Sequence, residues 1–255
     1  MNENPTVFVC RDADELAARA ADRFIEAARA AVAARGRFTV ALAGGSTPEA
    51  MYALLAESPR REQVGWVETF VFFGDERMVS PNDEERSNAN MARRVLLDKV
   101  PAGQVFPVDT TNTPDAEAAA HAYATTLAGF FGLSSSGPPP IFDLILLGLG
   151  DDGHTASLFP GKPALDVVDR WAAATPPGVL PPPVERVTLT FPVLNAAREV
   201  LFLVAGDKKA DALHGVLEGG ANPATHPAAG VKPATGTLTW LVDEAAAAKL
   251  ARGSA

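Results

Sequence analysis

A single cysteine, Cys10, stands in the 255 residues of this chain. With no second thiol there is neither a disulfide framework nor a paired-cysteine metal cluster. Positive charge is also short: 22 Lys and Arg face 31 Asp and Glu, a formal net charge of −9. No Lys/Arg-rich block interrupts that balance, so no nucleic-acid partner and no anionic membrane surface are expected. An anionic substrate would need its countercharge supplied locally. No apolar run approaches the roughly 20 residues that span a bilayer. The opening MNENPTVFVC lacks the basic and apolar regions of a signal peptide. Together these absences point to a cytosolic protein. What remains, 21% charged and 47% hydrophobic, is the ordinary make-up of a globular enzyme.

Strand and helix signals alternate along the chain. Thr6 to Val9, Phe38 to Ala43, Thr69 to Phe73, Phe142 to Leu147, Val187 to Phe191 and Val200 to Val204 are β-rich runs. Asp12 to Arg35 is alanine-rich and sets Leu16, Ala20, Phe24 and Ala28 on one stripe, which predicts a long helix. Further helices are expected near 48–57, 87–98, 114–131, 206–218 and 242–251. The alternation predicts an α/β fold, a mostly parallel twisted sheet flanked by helices on both faces. Two proline-rich stretches, Ser134 to Pro140 and Thr175 to Pro183, bring no change of composition. They read as surface loops of one domain over residues 1–255, with a two-domain split as the alternative.

Chemistry concentrates in Phe142 to Gly161, FDLILLGLGDDGHTASLFPG, where an apolar run opens into glycines, two aspartates and a histidine. A strand buried on both faces that ends in a polar turn has this profile, and ligands of open α/β sheets collect at such strand ends. Gly148, Gly150 and Gly153 spell the G-x-G-x-x-G of a dinucleotide loop. That reading fails on chemistry. Asp151 and Asp152 would set negative charge beside the pyrophosphate, and Pro160-Gly161 stops any helix after about two turns. His154 stands apart from His121, His214 and His226, because carboxylates two and three residues before it can orient its ring. A neutral imidazole is a competent general base. No G-x-S-x-G elbow and no second histidine nearby support a serine triad or a zinc site.

Three other segments sit at strand ends. Ala43-Gly44-Gly45-Ser46-Thr47-Pro48 opens a helix, with Ser46 or Thr47 available as its cap; it reads either as an anion seat or as a well-capped βα turn. Gly74-Asp75-Glu76-Arg77 suits binding a sugar hydroxyl or steadying a developing charge, and equally a solvated ion pair. Arg86-Ser87-Asn88 follows, with Ser87 the expected cap of the next helix. Lys208 and Lys209, after Gly206-Asp207, oppose the dipole of the helix they start, a misfit that an anion would relieve.

Taken in order, ALAGGSTP (Ala41 to Pro48), FFGDERMVSPNDEERSN (Phe72 to Asn88), LLGLGDDGHTASLFPG (Leu146 to Gly161), RVTLTFPVLNAAREV (Arg186 to Val200), GDKKA (Gly206 to Ala210) and Gly236-x-x-x-Trp240 with Asp243 closely resemble the 6-phosphogluconolactonases, in the larger group that includes glucosamine-6-phosphate deaminases. The resemblance implies a fold of the deaminase/isomerase type and hydrolysis of 6-phospho-D-glucono-1,5-lactone in the oxidative pentose phosphate route, with no metal and no nucleotide cofactor. By the same resemblance His154 is the base that activates water, and Asp152 holds its tautomer. Gly44, Gly45, Ser46, Thr47 and Lys209 grip the 6-phosphate. Arg77 and Arg186 lie near the sugar or phosphate, and Asp75 binds ring hydroxyls.

Two rivals are weaker. The deaminase branch carries a glutamate just before Pro-Gly and a tyrosine after the Asp-Glu pair, where this chain has Phe159 and Arg77. A non-catalytic sugar-phosphate sensor would add a basic helix-turn-helix arm, for which a first strand near Thr6 leaves no room.

Overall fold

Asp12 starts the first helix by accepting the Glu15 amide at 2.9 Å, and Gly36, at φ 69°, ends it by donating to Val32. The helix between them, α1 (Ala13–Arg35), buries the foreseen stripe of Leu16, Ala20, Phe24 and Ala28. The computed structural model describes residues 5–80, 83, 85–134, 137–177 and 183–251. Parts of both proline-rich stretches, 135–136 and 178–182, therefore lie outside the described residues, as do 81, 82 and 84 of the Phe72–Asn88 segment.

Seven strands form one fully parallel sheet. In chain order they are β1 (Thr6–Cys10), β2 (Phe38–Leu42), β3 (Thr69–Phe73), β5 (Gln104–Val105), β6 (Leu144–Leu147), β9 (Glu199–Val204) and β10 (Thr237–Asp243), and their spatial order is β1-β10-β9-β6-β2-β3-β5. The central strands are buried on both faces and alternate strictly. Ala41, Phe72, Ile145, Leu147, Phe202 and Trp240 enter one apolar cluster, while Val40, Leu42, Val71, Phe73, Leu146 and Leu203 enter the other. α1 and α2 (Ser46–Leu55), with α3 (Asn88–Val95), cover the second cluster. α4 (Ala116–Phe131) and α6 (Ala210–Leu217) lie over the first. The α/β class and the flanking helices are as the alternation predicts.

Several elements differ from expectation. The carboxyl end of the chain holds β10 and one short 3₁₀ turn, Ala246–Lys249, where a helix over 242–251 was expected. The strand runs to Asp243, so the first part of the expected helix is extended, and of the alanine-rich residues after it only Ala246–Lys249 coil, in a single 3₁₀ turn. The run Val187 to Phe191 is not part of the large sheet. Its residues form β8 (Arg186–Leu189), and Phe191 begins α5 (Phe191–Ala196). β8 pairs antiparallel with β4 (Asp75–Arg77) and β7 (Ala172–Thr175) in a second, three-stranded sheet. Alanines 172–174 are helix formers by propensity, and packing overrides it here. β6 begins at Leu144 because Asp143 turns its carboxylate away to the Thr39 amide and hydroxyl, at 2.8 and 2.9 Å, and to Arg35.

The chain's two tyrosines close the strand ends that lead to the site. The Tyr52 hydroxyl donates to Ala43 O at 2.9 Å and accepts Ala43 N at 3.0 Å. Tyr123 makes the same pair of bonds, both 2.9 Å, with Phe73.

Candidate active site

β2 and β6 are neighbours at the middle of the large sheet, and from them the strand order runs in opposite directions. Open α/β sheets bind ligands at that switch point, outside the carboxyl ends of the strands. A cleft of about 290 Å³ lies there, of a size suited to a small metabolite. Its walls come from the segments after β2 (Gly44, Gly45), β6 (Asp151, His154) and β9 (Lys209), together with Asp75 and Arg77 of β4 and Arg186 of β8. Residues far apart in sequence thus share one opening.

His154 is fixed from two sides. Its Nδ1 lies 2.6 Å from Asp152 Oδ1, which also accepts the His154 amide at 3.1 Å. That contact assigns the ring proton to Nδ1 and leaves Nε2 as the basic nitrogen. The Phe159 ring packs on the imidazole with centroids 4.5 Å apart. Burial pushes the Asp152 carboxyl up, but the bond and charge of His154, with backbone amides, hold it below its ordinary value. Gly150 makes room for the pair, since a Cβ there would stand 1.9 Å from His154 Nδ1 and 2.8 Å from Asp152 Oδ1. No helix follows the histidine. The chain instead folds into a tight turn bridged between Thr155 and Leu158, which removes the dinucleotide reading.

The opposite wall is the start of α2. Gly45, at φ 101°, is the N-cap and no side chain caps the helix, so Ser46 and Thr47 are its first residues and not its caps. Amides at a helix start lack intrahelical partners and favour an anion. Gly44 makes room for Asn88, since a Cβ on it would lie 1.9 Å from Asn88 Oδ1. Ser46 and Thr47 sit at the head of the helix beside the cleft, whereas Gly44 and Gly45 line it directly.

Antiparallel register sets Arg77 opposite Arg186 and Asp75 opposite Thr188. Asp75 is buried, with one carboxylate oxygen 2.6 Å from the Ser157 hydroxyl and the other 3.1 Å from Asn88 Nδ2. Arg77 donates to Asn88 Oδ1 and to Arg86 O. Arg186 is 4% exposed, its guanidinium 5.3 Å from the centre of the Phe159 ring. Burial lowers the Arg186 pKa, Arg77 adds to that, and Asp75 opposes it. Glu76, next to them, is a buried carboxylate that accepts Ser87 Oγ and the amides of Arg77, Asn88 and Ala89, and Ser87 caps α3 as foreseen.

Lys209 lines the cleft and Lys208 does not. The Lys209 ammonium meets Asp151 Oδ1 at 2.5 Å. The turn that carries it is pinned by Asp243, whose two carboxylate oxygens each lie 3.0 Å from Gly206 N. His121, His214 and His226 all lie outside the cleft lining. Among the described residues no three of His, Cys, Asp and Glu converge as metal ligands, and no helix is long and apolar enough to cross a membrane. The residues that sequence reasoning left without a role are Asn88, Gly150 and Ser157. Asn88 gave a faint signal, standing beside a helix cap; Gly150 showed only in the rejected G-x-G-x-x-G pattern, and Ser157 gave none.

A sequence model described as glucosamine-6-phosphate isomerases/6-phosphogluconolactonase matches residues 11–240. The chain is 45% identical over 222 residues to the 6-phosphogluconolactonase of Synechocystis, covering 86% of this chain and 88% of the relative. It is 43% identical over 250 residues to that of Mycobacterium tuberculosis, covering 96% and 98%. Among solved structures, the 6-phosphogluconolactonase of Trypanosoma brucei superposes with a TM-score of 0.85 at 38% identity, over 97% of this chain and 99% of that one. A monomeric glucosamine-6-phosphate deaminase, at 21% identity and a TM-score of 0.77, shares the fold. The chain therefore belongs to the glucosamine-6-phosphate isomerase/6-phosphogluconolactonase family.

Proposed function

We propose that this chain hydrolyses 6-phospho-D-glucono-1,5-lactone to 6-phospho-D-gluconate in the oxidative pentose phosphate pathway, acting in the cytosol on this small molecule. The observation that carries the reading is one cleft lined by His154 and by Gly44 and Gly45, so a basic nitrogen and an anion seat face the same ligand. The 6-phosphate rests on the α2 amides of the Gly44–Thr47 loop, with Lys209 as its counter-ion. His154 Nε2 takes a proton from a water that attacks the lactone carbonyl. Asp152 steadies the imidazolium that forms. Arg77 and Arg186 bring positive charge to the sugar end, where the tetrahedral oxyanion develops. Collapse of that intermediate breaks the ring C–O bond, and His154 returns its proton to the tethered alkoxide. Asp75 is placed beside the ring hydroxyls.

No covalent nucleophile enters this scheme, and no electron transfer that would call for a cofactor. A positioned base supplies about 10²–10⁴-fold, sufficient for a lactone that already hydrolyses unaided. The pairing of β1 with β10, elements from opposite ends of the sequence, supports reading residues 1–255 as one domain.

A coupled assay with freshly generated 6-phosphogluconolactone, run beside glucosamine 6-phosphate, tests the proposal. Turnover of the lactone alone is expected. Deamination of the amino sugar at a comparable rate would move the chain to the other branch of the family.

A further inference from the structure

We infer that Asp151 is a resident competitor for the phosphate seat, an internal anion that a phosphoryl group must displace from Lys209. The inference rests on the reading of Lys209 as the phosphate counter-ion. Asp151 and Asp152 are neighbours in sequence, yet their carboxylates part. Asp152 serves His154, while Asp151 meets Lys209, 58 positions further along the chain. Both members of the Asp151–Lys209 pair line the same opening as Gly44 and Gly45. The carboxylate therefore lies where an incoming anion would be bound.

The pair is strong enough to hold Lys209 in place and weak enough to break. Asp151 is 48% exposed and Lys209 28%, and ion pairs so open to water are weakly held. A phosphate monoester carries about −1.5 to −2 charges and three acceptor oxygens. It can engage Lys209 and the free amides of α2 together, a combination that one carboxylate of charge −1 cannot match. Neutral sugars and singly charged anions lack the means to displace Asp151. The device therefore lowers affinity by a common factor for every anion that takes Lys209, so that only a ligand with the combined contacts of a phosphate ester still binds well. It also hastens departure of the phosphorylated product, because Asp151 recaptures Lys209 as the ester leaves.

The test is titration of 6-phosphogluconate and of inorganic phosphate into the intact protein and into Asp151→Asn, Lys209→Met and the double variant. Asp151→Asn keeps the side chain's shape and removes its charge at a half-exposed position, so folding is not at stake. It is expected to bind both ligands about two- to fivefold more tightly, the span that loss of an exposed ion pair allows, with product inhibition strengthened by the same factor. Lys209→Met is expected to weaken both ligands at least tenfold, and adding Asp151→Asn to it should then have little further effect. Equal or weaker binding in Asp151→Asn, with Lys209→Met still impaired, would overturn the competitor role alone and make Asp151 a simple positioner of Lys209. Unchanged binding in Lys209→Met would remove the phosphate seat itself, and the competitor with it.

Discussion

Arg77 and Arg186 occupy directly opposed positions on antiparallel β4 and β8, two like charges brought to one place by strand register. Like charges placed so are destabilising, and Arg186 is also buried, so this pairing works against the fold. Asp75 outweighs that repulsion at Arg186, but burial still leaves the Arg186 pKa lowered. Such a cost marks a site that receives an anion or a developing negative charge. Replacing Arg186 by Met is expected to raise KM for the phosphorylated lactone about tenfold or more and to lower kcat as well. Steady-state kinetics on the coupled assay decide it, and unaltered constants would remove Arg186 from the site.

Gly150 offers a sharper geometric test. Its φ is not in the left-handed region, so alanine meets no backbone penalty there, only the His154 ring and the Asp152 carboxylate. Gly150→Ala should lower kcat about 100-fold, since an ångström of misplacement costs that much, while 6-phosphogluconate still binds. A variant with full activity would show that the ring can shift without consequence.

His154→Ala is expected to lower turnover by about 10²–10⁴-fold with product binding largely kept, and Asp152→Asn by about 10²-fold. Asp152 also carries a stability signature. Its folded-state pKa is depressed, so its contribution is present above the ordinary carboxylate value of about 3.9 and fades as pH falls through the lower folded value. The Tm difference between the parent and Asp152→Asn should therefore be present above pH of about 4 and vanish in stronger acid. A difference that persists undiminished in strong acid would contradict the assignment.

Asp243 holds the Lys209 turn through Gly206 and accepts the Ala246 amide at 2.7 Å. Asp243→Ala leaves these amides without partners and should cost about 2–4 kcal/mol, read by urea denaturation. Unphosphorylated gluconolactone offers an orthogonal check, because it cannot use Lys209. It should be a far poorer substrate for the intact protein, and the two lactones should differ less in Lys209→Met.

The legible parts of the molecule were those written locally. Thr69–Phe73 and the α1 stripe follow from unbroken patterns, and the His154–Asp152 pair from two positions only two residues apart. β7 hid behind three alanines, and β4 behind charges in a three-residue strand. β10 reads TLTWLVD, a β-rich run masked by the alanines that follow it. Contacts across long separations had no local trace: Ser157 meets Asp75 82 positions away, and Asp243 meets Gly206 37 away. Sequence spacing cannot encode a bond that only sheet order creates.

Tyr52 and Tyr123, sealed beneath the loops of the cleft, give the protein an alkaline indicator of its own integrity. Burial drives both phenols far above their ordinary range, a rise that their backbone bonds only partly counter. The stabilisation they provide is complete below pH of about 10 and erodes above it, since only the opened chain can release those protons. Tyrosinate absorbance in the ultraviolet should thus appear in step with loss of far-ultraviolet dichroism, and never ahead of it.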